Sequence, residues 1–148
     1  MLKKVVFVTC ILLLVGSLTV YWLKGTSTAK LIEPIRIDEQ SNNFILHVRM
    51  ENHENGLQVL RSLEYIGTET ITLSHRTPLI GLSINHDNPK FTGSPVTKIM
   101  DPGDIYHPDD LQVFAFREPG SYTLFVHCQL EVNGEPINIR INRDFIFK

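Results

Sequence analysis

The sequence predicts an all-β domain, a two-layer antiparallel sandwich of about seven to nine strands over residues 31–148, preceded by one apolar N-terminal helix within residues 1–30. Three observations predict it. Val5–Leu23 runs for 19 residues without a charge. Beyond Lys30, apolar and polar residues alternate in short runs of period two, which is strand and not helix periodicity. Gly, Pro and Asn separate those runs, as turns do in an all-β chain. A length of 148 residues with 43% apolar content suits one such domain and a short extra segment.

The opening segment comes first. As a helix at ~1.5 Å per residue it spans roughly 28 Å, near the hydrocarbon thickness of a bilayer. Lys3 and Lys4 precede it, so the positive-inside rule leaves its start in the cytoplasm and everything after Leu23 outside. Tyr21 and Trp22 stand at its far end, where aromatic rings favour the membrane interface. Two fates are open, a retained anchor and cleavage near Ala29, where Ser27-Thr28-Ala29 supplies small residues. The run exceeds the usual length of a signal peptide, which favours retention. Cys10 lies mid-run and reads as a small apolar residue of the helix.

Strands follow in order. Phe44, Leu46, Val48 and Met50 alternate with Ile45, His47 and Arg49, so they line one apolar face. Glu51–Gly56 reads as a turn. Further runs lie around Leu57–Ile66, Thr70–Ser74, Leu79–Ile84, Val96–Met100, Leu111–Phe116, Tyr122–Val132 and Ile137–Phe147. Asn133-Gly134 fits a two-residue type I′ turn, which fixes the register of the last two strands. Leu130 then faces Ile137, Cys128 faces Ile139, Val126 faces Ile141 and Tyr122 faces Phe145 on one apolar side. Gln129 with Asn138, His127 with Arg140 and Thr123 with Asp144 form the wet side.

Pro119-Gly120-Ser121-Tyr122 resembles the corner of an immunoglobulin-like sandwich, in which a tyrosine opening the penultimate strand caps nearby backbone. That resemblance implies an immunoglobulin-like β-sandwich. An early strand ending at Asn52, the Pro102-Gly103-Asp104 turn and the closing hairpin are also similar to BsuPI-type proteinase-inhibitor sandwiches, which adds an envelope inhibitor or accessory subunit to the readings. The stretch ending in Cys128 resembles the copper-cysteine strand of cupredoxins. Neither His nor Met follows Cys128, so an inert core thiol is expected and no cofactor, with a metal-carrying cupredoxin-like module as the alternative that the resemblance implies.

Charge excludes one class of partner. Residues 31–148 carry ten basic against sixteen acidic residues, formally −6, and no basic run, so nucleic acid is not expected. His47 and His127 are expected to be partly solvated on polar strand faces. Asp101–Asp110 reads as a solvated turn and no metal site is assigned. No nucleophile elbow, phosphate loop or dinucleotide fingerprint occurs, so no catalytic residue is named. The expected ligand-binding group is the set of polar and aromatic residues around one central strand: His75, Arg76, His86, Asp87, Lys90 and Phe91. The whole reads as a non-catalytic extracytoplasmic binding module, tethered by Val5–Leu23 or secreted, whose partner is another envelope protein.

Overall fold

The computed structural model describes residues 9, 11–21, 29–115 and 118–148. Among the described residues, ten strands form two antiparallel sheets, β1 (Ile35–Ser41), β2 (Phe44–His53), β3 (Gly56–Tyr65), β4 (Ile71–Arg76), β5 (Ile80–Ile84), β6 (Pro95–Met100), β7 (Ile105–Tyr106), β8 (Gln112–Ala115), β9 (Gly120–Val132) and β10 (Glu135–Phe147). The first sheet runs β1-β2-β3 and continues with β7 and β8, which share the far edge of β3. The second runs β10-β9-β4-β6, with β5 joining β4 along β9. Because β7 and β8 share one edge, as do β4 and β5, the ten strands fill eight positions.

The core is the apolar alternation of the sequence turned inward. Phe44, Leu46, Val48 and Met50 of β2 face Leu124, Val126 and Cys128 of β9 and Ile139, Ile141 and Phe145 of β10 across the sandwich, all buried. The closing hairpin keeps the expected register from Glu135↔Val132 to Phe145↔Tyr122. Positive φ at Asn133 and Gly134 closes it, a conformation that Asn and Gly adopt at low cost. Tyr122 donates its phenol hydrogen to the Glu118 carbonyl at 3.0 Å, as the corner reading expects. Arg143, on the apolar side of the hairpin, is exposed near the strand end.

Four features differ from the sequence reading. Strand β1 is an edge with only Ile35 and Ile37 turned toward the core, too few to register as an apolar run. The expected Glu51–Gly56 turn shrinks to Glu54 and Asn55, because β2 and β3 pair out to His53↔Gly56. Asp101–Asp110 is not a solvated turn throughout, since Ile105 and Tyr106 pair with β3 and Asp109 is buried. His127 is also buried, for a reason given below.

At the N-terminal side, residues 9 and 11–21 are helical and exposed on every described position. No helix among the described residues is long and apolar enough to cross a membrane, and the rest of Val5–Leu23, with Cys10 and Trp22, lies outside them. The chain is then pinned to the sandwich. Lys30 and Lys148 exchange backbone hydrogen bonds at 2.8 and 2.9 Å, and Leu31 bridges to Phe147. The Asn52 amide brackets Leu31, accepting from its N–H at 2.7 Å and donating to its carbonyl at 2.9 Å.

Candidate functional site

The outer face of the second sheet carries a cleft of 340 Å3. Its floor comes from strand alternation: Ser74 of β4 opposes Glu131 of β9, which opposes Pro136 of β10, and Gln129 opposes Asn138 in the next row. Arg76, at the end of β4, opposes Pro95 of β6. Phe91 comes from the β5–β6 connection. Among the described residues, the side chains of Ser74, Arg76, Gln129, Glu131 and Asn138 have no partner within the protein, so their hydrogen-bonding capacity faces the cleft and solvent.

The β5–β6 connection folds down over the sheet as a strap. Gly81 permits this: a Cβ there would stand 2.7 Å from Pro89 Cβ and 3.1 Å from Phe91 Cζ. Beneath the strap, His127 pairs across the sheet with Gly81, and its Nε2 lies 2.9 Å from Asp87 Oδ1. Hence the departure from expectation at His127, whose position on the wet side of the hairpin is roofed by a segment distant in sequence.

Of the six residues expected to bind, Arg76 and Phe91 line the cleft together. His75 touches it only as part of β4, because its ring points into the sandwich and is 7% exposed. There Nδ1 donates to the Arg76 carbonyl at 2.9 Å, which leaves Nε2 to accept from the Tyr106 hydroxyl at 3.1 Å. Asp87 lies beside His127 with its side chain 45% exposed, and His86 and Lys90 are exposed on the strap, all three outside the cleft. Gln129, Glu131 and Asn138 were missed as site residues. The signal was available, since the hairpin register already set Gln129 beside Asn138 on the wet face.

A second recess of 530 Å3 opens on the first sheet, where β7 and β8 leave Leu60–Ser62 of β3 between them. Two groups of its side chains pair with one another, His47 with Asp38 and Glu64 and Arg61 with Asp109, while among the described residues Arg36 and His107 line it without such partners. His47 Nδ1 donates to Asp38 at 2.6 Å and Nε2 to Glu64 at 2.9 Å, an arrangement that fits the imidazolium form. Burial alone would lower the His47 pKa, but hydrogen bonds and charge from Asp38 and Glu64 outweigh it and the pKa is raised above 6.5. A raised folded-state value gives stability that is full below the unfolded pKa and lost as pH rises through the folded one. The expected result is a denaturation midpoint that falls as pH climbs past 6.5, and a smaller fall in His47→Gln. Identical pH profiles for the two proteins would contradict the assignment.

Below that recess the sandwich holds a buried ion pair. Arg61 occupies an inward position of β3, with its Nε 3.5 Å from Asp109 Oδ2 and side-chain exposures of 6% and 3%. Asp109 also accepts from the backbone N–H groups of Leu79 at 3.2 Å and Ile80 at 2.9 Å, tying the β7–β8 loop to the start of β5. Burial lowers the Arg61 pKa, a shift opposed by Asp109.

Cys128 is fully buried opposite Ile80, and burial, with the Asp109 charge adding, pushes its thiol up to about 12. A thiolate nucleophile or copper ligand needs the opposite shift. The folded protein should therefore leave Ellman's reagent unreacted at pH 8 and release one equivalent per Cys128 only in denaturant, with Cys10 replaced by Ala. Rapid reaction under native conditions would contradict the burial. No cluster of His, Cys, Asp and Glu among the described residues is arranged to hold a metal ion.

No protein-family model matches this sequence, and no curated protein matches it. Among solved structures the chain is similar to the GAE domain of GGA2p from Saccharomyces cerevisiae. The two share 12% identity over 77% of this chain and 98% of that one, with a TM-score of 0.33. A likeness at this level bears on neither ligand nor activity.

Proposed function

We propose that the chain is a non-catalytic recognition module of the cell envelope, an immunoglobulin-like sandwich held outside the membrane by a retained N-terminal helix. The observation that carries this reading is the division of polar groups. Side chains with chemical potential are committed internally: Cys128 is buried, His75 is held by Tyr106, and His47 lies between two carboxylates. The cleft on the second sheet instead presents uncommitted donors and acceptors, as a binding surface does.

The exposed apolar helix supports the same reading. Ile11, Leu12, Leu13, Leu14, Leu18 and Val20 are each 46–69% exposed, and a helix apolar all round finds its stable environment in lipid. The tether joins the sandwich at Lys148 and Phe147, whereas Asn138 of the cleft stands nine residues up β10. At ~3.3 Å per residue the cleft lies roughly 30 Å from the attachment point. A partner in the envelope would meet the cleft at the far end of the domain.

The test is photo-crosslinking in living cells with benzoylphenylalanine at Arg76 or Asn138 of the full chain, and at Asp144 as a remote control. Adducts from the two cleft positions and none from the control are expected. Equal adducts from all three, or none from the cleft, would overturn the proposal.

A further inference from the structure

We infer that the cleft on the second sheet binds a neutral, hydroxyl-rich ligand of saccharide chemistry. The inference rests on the recognition reading above and adds the class of ligand. Size limits the occupant first. A cleft of 340 Å3 lies at the small end of the ~300–1,000 Å3 range of small-molecule sites, which suits one or two sugar rings better than a folded partner.

Charge limits it next. The lining contains one cation, Arg76, and one carboxylate, Glu131, with His75 turned inward to Tyr106. The balance selects neither an anion nor a cation. The remaining groups are the hydroxyl of Ser74 and the primary amides of Gln129 and Asn138, placed opposite each other across β9 and β10. Each amide both donates and accepts in one plane, the carboxylate accepts two hydroxyls and the guanidinium donates in a fork. Together they match vicinal hydroxyls, which also donate and accept from adjacent positions.

The apolar element completes the match. Phe91 is half-buried, with its Cε1–Cζ edge set against Gly81, and it lines the cleft, as Pro95 does. A ring there covers the C–H face of a pyranose while the amides take its hydroxyls. The scaffold is rigid where this matters, because β9 and β10 pair over thirteen positions.

The experiment is isothermal titration calorimetry of the detergent-solubilised full chain with maltotriose, cellotriose and chitotriose, each to 10 mM, and trialanine as the peptide probe. Saturable binding of at least one trisaccharide is expected. Phe91→Ala and Asn138→Ala should each weaken it by about tenfold, while Arg140→Ala, on the same face outside the cleft, leaves it unchanged. No binding of any trisaccharide to folded protein, with Cys128 still shielded, overturns the inference, as does binding of trialanine alone. Adducts at Arg76 and Asn138 persisting in cells alongside that result would leave the recognition reading standing and remove only the saccharide.

Discussion

Asp109→Ala is expected to cost about 3–5 kcal/mol, the range for breaking a buried ion pair by removing one partner. The loss has two parts. Arg61 would remain with its charge uncompensated and its side chain only 6% exposed. The N–H groups of Leu79 and Ile80 would also lose their acceptors, which detaches the start of β5 from the β7–β8 loop. Since a domain of this size is stable by only about 5–15 kcal/mol, the variant should lose a large fraction of its stability. The pair is a cross-sheet staple, so the combination of Arg61→Met with Asp109→Asn should recover much of the loss: the apolar side chain needs no counter-charge and Asn retains one acceptor. Urea denaturation of the three proteins measures both effects. A shift below about 1 kcal/mol for Asp109→Ala would show that the pair is not buried as described.

Phe147→Ala should be comparably severe, about 3–5 kcal/mol, for an apolar reason. Phe147 is 1% exposed and packs edge-on against Tyr122 and Phe145 at centroid distances of 6.1 and 5.9 Å. It also opposes Leu31 across a backbone bridge, and both side chains belong to the one buried cluster that holds the segment 29–31 to the sandwich. The expected consequence beyond lost stability is detachment of residues 29–31, read as new protease cleavage there at temperatures where the rest stays folded. Ile146→Ala, one residue earlier and exposed, is the control and should change little. Equal effects at the two positions would contradict the face assignment of β10.

What the sequence made legible follows from where information is local. The β9–β10 hairpin could be derived pair by pair because one Asn-Gly turn sets the register of both strands, and each strand independently marks its wet face. Strand β1 was illegible because an edge strand with only two inward apolar residues, Ile35 and Ile37, carries almost no pattern of its own. Arg61 was hidden among the polar residues of Leu57–Ile66, since it falls at an inward position and nothing local says that its partner, Asp109, arrives from 48 residues away. The cleft was half legible. Arg76 and Phe91 stood out as polar and aromatic punctuation around one strand, but Gln129, Glu131 and Asn138 reach them only through the pairing of β4 with β9. His127 failed for the same reason in reverse, because its strand predicted a wet position and the distant strap at Pro89 and Phe91 covered it.

In the proposed function the apolar opening segment delivers the sandwich to the outer side of a membrane. The most direct measurement of this is labelling of Glu135→Cys, an exposed position in the closing hairpin, by a membrane-impermeant maleimide in the full chain with Cys10→Ala. Cys128 contributes no background while it remains buried. Labelling in intact cells or spheroplasts, equal to that after lysis and recovered in the membrane fraction, is the predicted result. Labelling that appears only after the membrane is broken would contradict the account.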